Sequence, residues 1–235
     1  MKLIVAGSGS SGNSYILSAN DEYLIIEGGI SLKEILPLID FQISKVKMVI
    51  SSHVHTDHFK YVKDWKKRGI PCYCPFEDMS FIPQLRNSQF KVHAFPLQGA
   101  DGRWVHSNGD GSECKVYGFH IYHPEMGSFI YASDMEFVKW KFKDINHFLI
   151  ESNYDLDELE SDGEAKNIHV FNGHHSIQAA CKFIQANKTE HLKNVILCHL
   201  SSQNGSPEKF KEMMKEVVGN NVNVYIAKKG LEIEL

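Results

Sequence analysis

Seven residues, Ser52-His53-Val54-His55-Thr56-Asp57-His58, constrain this chain more than any other stretch of it. Three imidazoles and a carboxylate within six positions form a cage for two adjacent metal ions. The apolar run Val46-Lys47-Met48-Val49-Ile50 just before it reads as a buried strand. A strand ending in a His-rich loop gives the imidazoles a rigid platform at a sheet edge. Neutral imidazole suits zinc, and the carboxylate beside it also admits manganese or iron. The competing reading is a polar surface loop that happens to be rich in His. It is the weaker one, because a pattern with this many specified positions seldom arises by accident and the remaining ligand types recur downstream.

The 235 residues fit one domain with a large core, or two similar halves packed together. No apolar stretch reaches membrane-spanning length, and Met1-Lys2-Leu3-Ile4-Val5-Ala6 breaks into Gly and Ser too early for a signal core. The expectation is a soluble, cytoplasmic protein with no membrane partner. Five cysteines at irregular spacings argue against a disulfide framework and are expected to be reduced. A net charge of −4 supplies no general attraction to a polyanion. A nucleic-acid substrate would need a local basic patch, for which Lys60, Lys63, Lys66, Lys67 and Arg68 are the candidates; on a helix such charges are more often a solvated face.

Along the chain, strands are expected near Leu3-Ile4-Val5, Tyr15-Ile16-Leu17 and Tyr23-Leu24-Ile25-Ile26. Between the first two, Gly7-Ser8-Gly9-Ser10-Ser11-Gly12 matches the GxGxxG dinucleotide pattern. That fingerprint needs a helix after the glycines to hold a pyrophosphate, and strand-like alternation follows instead. The loop therefore reads as a flexible turn near the site mouth. Ser31 with Glu34 marks a short helix interrupted by Pro37, and a second helix is expected over 60–68, stopped by Gly69 and Pro71. Further strands are expected over 91–97, 115–122, 128–132, 148–150, 195–198, 222–226 and 231–233, with helices starting at Ser176 and at Ser206-Pro207. No linker divides the chain, so residues 1–235 are read as one domain.

A dimetal site needs more donors than the 53–58 loop carries. Asp134 and His199 each follow an apolar run, where a strand's C-terminal end would deliver them. The ordered set His-x-His-x-Asp-His, a further His, Ser-Asp, and His-Leu-Ser resembles the metallo-β-lactamase fold superfamily over nearly the full length. Ile25-Ile26-Glu27-Gly28-Gly29 is similar to its first motif, with Glu27 in place of the usual Asp. Gly7 to Ser14, Ile150-Glu151-Ser152-Asn153-Tyr154-Asp155, Gly173-His174-His175-Ser176 and His199-Leu200-Ser201 resemble the phosphodiesterase branch. That branch includes ribonuclease Z, YycJ-type exonucleases and phage anti-Pycsar enzymes.

The resemblance implies an α/β (α+β) fold, a four-layer αββα sandwich with the metals at one edge of two sheets. It implies two divalent ions, zinc or alternatively manganese, with His53 and His55 on the first, Asp57, His58 and His199 on the second, and Asp134 bridging. Asp134 in place of a Cys favours hard, phosphate-handling chemistry. His106 has the best order and spacing for the third histidine of the first ion, and His93 is its rival. Residues 98–114, glycine-rich and carrying Trp104, read as a lid or binding element. Asp57 would orient the nucleophile, and His174, held by Glu151, would protonate the leaving group.

The function expected is a dinuclear metal-dependent phosphodiesterase hydrolysing a nucleotide, with a small cyclic nucleotide ahead of a DNA or RNA end. A thioester or lactone hydrolase ranks lower, since it has no need of Glu151 and His174. A homodimer is compatible with the sequence.

Overall fold

The computed structural model describes residues 1–78, 85, 87–99, 101–104, 106–108, 110–159, 173–201 and 205–235. His169, read from sequence as a surface or core residue, lies outside them.

Strands β1 (Lys2–Gly7), β2 (Ser14–Ser18), β3 (Tyr23–Ile26), β4 (Val46–Ile50), β5 (Cys72–Tyr73) and β14 (Glu232–Glu234) form a six-stranded sheet in the order β14-β1-β2-β3-β4-β5. The second sheet runs β13 (Asn223–Ile226), β12 (Asn194–Cys198), β11 (His147–Glu151), β10 (Gly127–Ala132), β9 (Tyr117–His123), β6 (Lys91–Pro96). In each, a parallel half adjoins an antiparallel half: β3-β4-β5 are parallel, as are β10-β11-β12-β13.

Period-two alternation explains the layering. In β1, Leu3 and Val5 face the core between the sheets, beside Leu149 and Ile196 of the other sheet. Ile4 and Ala6 face outward into a second core. That outer core is covered by helices α1 (Leu32–Leu38) and α3 (Val62–Lys67), through Leu32, Ile35 and the fully buried Trp65. On the other side, α5 (Ile177–Asn187) and α6 (Pro207–Val218) pack Ile177, Phe183, Phe210 and Met214 against β11 and β12. Strands buried on both faces must be apolar throughout, as VILC of β12 is. The result is the four-layer αββα sandwich expected. Among the described residues, no helix is long and apolar enough to cross a membrane.

The structure refines the sequence reading in several places. A separate turn of helix, α2 (Thr56–Phe59), lies in the metal loop, and the helix expected over 60–68 is α3. Its lysines are a solvated face, with Lys66 paired to Glu77 and Lys67 to Asp64. At α1 the Ser31 hydroxyl donates to the Glu34 carboxylate at 3.0 Å and does not cap a backbone N–H. Residues 98–114 include a two-stranded hairpin, β7 (His106–Ser107) with β8 (Glu113–Cys114). A further short helix, α4 (Leu156–Leu159), follows β11.

Candidate metal centre

The candidate ligands converge at one edge of the sandwich, each delivered by a strand end or the hairpin. His53, His55, Asp57 and His58 follow β4, Asp134 follows β10, His199 follows β12, and His106 opens β7. Glu27 after β3, Asp134 and His199 all have left-handed backbones, with φ of 66°, 56° and 53°. An L-residue pays for that conformation, and here it turns each side chain off the end of its strand toward the cluster.

Their donor atoms fall into overlapping groups, each within 4.8 Å: His53 with His55 and His106, Asp57 with His58 and His199, and His53 with His58 and Asp134. His58 Nε2 lies 3.0 Å from Asp134 Oδ2 and 3.2 Å from Asp57 Oδ2. His106 Nε2 lies 2.9 Å from His55 Nδ1. His93, the rival third histidine, is exposed on β6 and pairs across the sheet with His120, outside every such group.

Burial holds the His53 imidazole well below its ordinary pKa and His106 down at about 4, so both are neutral and ligand-competent near neutral pH. Burial raises Asp57 and Asp134, but the neighbouring His199 and His58 outweigh it and keep both carboxylates ionised. Buried His53 Nε2 has no hydrogen-bond partner among the described residues, although its other nitrogen sits 2.9 Å from Ser52 Oγ. A buried nitrogen aimed into a ring of imidazoles and carboxylates is one that a bound cation would satisfy. The donor set, neutral imidazoles with hard carboxylates, suits one or two divalent metal ions.

Glu27 is wholly buried. It accepts from Ser51 Oγ at 3.1 Å and from Ser52 N–H at 3.2 Å, and its other oxygen approaches His58 Nδ1 at 3.4 Å. The longer side chain thus still reaches the loop where the family pattern has Asp.

The glycine- and serine-rich loop is a clamp, not the flexible turn expected. The His199 N–H donates to Ser8 Oγ at 3.0 Å, Asn13 Nδ2 donates to Asp57 Oδ2 at 3.1 Å, and Asn13 N–H donates to Asp57 O at 2.7 Å. A Cβ on Gly29 would overlap the Asp57 carbonyl oxygen, so only glycine lets the two loops touch there. These supporting residues escape sequence reasoning, since Ser8 and Asn13 meet partners 191 and 44 positions away.

Beside the cluster, His174 Nδ1 lies 2.7 Å from Glu151 Oε1 and 3.7 Å from Asp134 Oδ1. Burial would lower the imidazole pKa, but the Glu151 carboxylate outweighs it and the net shift is upward. Fully buried Glu151 also lies 3.1 Å from His199 Nδ1 and accepts the Met135 N–H at 3.2 Å.

Residues 7–81 match the family model described as the Metallo-beta-lactamase superfamily. Exodeoxyribonuclease YycJ of Bacillus anthracis is 25% identical over 248 residues, covering 97% of this chain and 90% of its own length. Exodeoxyribonuclease WalJ of Streptococcus pneumoniae serotype 2 (strain D39 / NCTC 7466) is 24% identical over 226 residues, covering 88% and 84%. The crystal structure of the metallo-beta-lactamase fold protein YhfI from Bacillus subtilis superposes with a TM-score of 0.69 at 17% identity, covering 99% of this chain and 98% of that one.

Proposed function

We propose, from the premise that this chain has the metallo-β-lactamase superfamily fold of the phosphodiesterase and nuclease branch and is a metal-dependent hydrolase, that it cleaves phosphodiester bonds at a DNA end. The observation that carries the reading is the pair of three-residue donor groups, with Asp134 grouped with one member of each, His53 and His58, and the His174–Glu151 pair alongside. His53, His55 and His106 would hold one ion, Asp57, His58 and His199 the other, and Asp134 would lie between. Ions so bound supply Lewis acidity toward phosphoryl oxygens and activation of water. Asp57 orients the nucleophile. His174, its pKa lifted by Glu151, keeps a proton on the ring and delivers it to the leaving oxygen.

Of the two substrates weighed from sequence, the nucleic-acid end is the better supported. Relatives matched over most of their length are named exodeoxyribonucleases, whereas the small cyclic nucleotide rested on a whole-chain charge that says nothing of local patches.

The test is to load the purified chain with zinc or manganese and offer single- and double-stranded DNA oligonucleotides, cyclic mononucleotides and an acyl thioester. Shortening of oligonucleotides from an end, lost on chelation, is expected. Turnover of the cyclic nucleotides alone, or of the thioester alone, would overturn the reading.

A further inference from the structure

Strands β10 and β11 are parallel neighbours, and such a pair is usually joined by a helix that covers the sheet. Here residues 133–146 cross without regular helix or strand. Long structureless connections inside a compact fold are usually functional. The strap fulfils its packing role through Met135, Val138 and Ile145, all buried in the core beneath α5 and α6. Phe137 and Trp140 are surplus to that core, with 49% and 38% of their surfaces exposed. The indole is nevertheless fixed, because Trp140 Nε1–H donates to Pro96 O at 2.9 Å.

These two aromatic rings edge a groove of about 240 Å³ between the strap and α5, into which Lys139, Lys141 and Lys182 also face. No carboxylate lines it, on a chain whose net charge is −4. Its volume falls below the roughly 300–1,000 Å³ of whole small-molecule sites, so it suits one ring system and not a complete ligand. Chain neighbours tie one end of it to the metal centre. The strap leaves Asp134, and His175, which lines the groove, is the chain neighbour of His174.

We propose that this groove seats an unpaired base of the DNA strand, stacked on Phe137 and Trp140, while the three lysines hold the backbone that leads to the metal centre. Exposed rigid aromatics interleaved with cations are what single-stranded nucleic acid uses, because every base offers a π-face and every nucleotide a charge. The assignment rests on the nuclease reading above and adds to it the strand form and the place where that strand is held.

The experiment compares metal-loaded wild type, Phe137→Ser and Trp140→Leu on a single-stranded oligonucleotide, an oligonucleotide of equal length made of abasic sites, and bis-p-nitrophenyl phosphate. Each variant should raise KM for the base-containing strand by about 5- to 150-fold, the size of one lost stack. Turnover of the aryl ester should be unchanged, which also shows that the variant is folded. The abasic strand should not distinguish the variants from wild type. If wild type degrades the oligonucleotide and both variants keep its KM, the groove assignment is wrong and the nuclease reading stands. Unchanged KM with an altered mass in sedimentation would make the groove a contact between copies of this chain. If wild type leaves every oligonucleotide intact, the nuclease reading falls and takes the groove with it.

Discussion

His174 shares the Glu151 carboxylate with His199, at 2.7 and 3.1 Å, so one buried anion orients two imidazoles. If His174 supplies the leaving group's proton, the need depends on the leaving group. An alkoxide requires protonation and a nitrophenolate does not. His174→Ala should slow oligonucleotide cleavage by about 10²–10⁴-fold and aryl-ester hydrolysis far less. Glu151→Gln should show the same split in smaller measure. Equal losses on both substrates would make His174 a structural or metal-linked residue. A second comparison belongs to this scale. His106→Ala should lower the metal content of the purified chain, while His93→Ala on the exposed side of β6 should leave it unchanged. Elemental analysis reads the difference directly, and the reverse result would move the ligand to His93.

Among elements, the loops after β1, β3 and β4 behave as one unit, because Gly28 N–H donates to His58 O at 2.7 Å and Gly29 N–H to Asn13 O at 3.0 Å. Gly29→Ala should therefore push the β3 loop off the metal loop and reduce bound metal, although no ligand is altered; a normal metal content would refute that coupling. The loop after β11 is tied to both outer helices by Asp155, which accepts from Gln178 of α5 at 2.6 Å and pairs with Lys209 of α6 at 2.5 Å. Burial raises the Asp155 pKa, but its Lys209 and Gln178 hydrogen bonds outweigh it, so the folded value lies below the unfolded one. The stabilisation is then complete above the ordinary carboxylate pKa of about 3.9 and fades as pH falls through the folded value. Asp155→Asn should cost about 1–2 kcal/mol at neutral pH, allowing for solvent screening at Lys209. Urea melts below about pH 4 should show the gap between variant and wild type closing. The strands were legible because period-two and all-apolar runs report burial directly, and the metal loop because its four candidate ligands lie within six residues. The contacts of the clamp were not, since nothing in the motif Gly7 to Ser14 says that Ser8 and Asn13 will meet His199 and Asp57 until the sheets bring those ends together. Nor was the strap, where an exposed Phe137 and a buried Val138 differ only in which way an irregular backbone turns them.

For the whole molecule, stability and chemistry occupy different ends of the strands. Leu149, fully buried between the sheets beside Tyr131 and Ile196, lies two residues before Glu151. Leu149→Ala should cost about 2–5 kcal/mol through the cavity it leaves, lowering the denaturation midpoint. The metal content of the protein that remains folded should match wild type, and a parallel loss of metal would show that core and site are not separable. The scatter of ligands along the chain also imposes a schedule. His53, His55 and His106 are all made by residue 106, whereas Asp57 and His58 wait for His199, which a ribosome working at about 5–20 residues per second delivers later. On the proposed division of ligands, the nascent chain cannot assemble its second donor group until His199 has been made. The full proposed site thus waits on residue 199, and a chain truncated before His199 would leave the ribosome without the means to complete it.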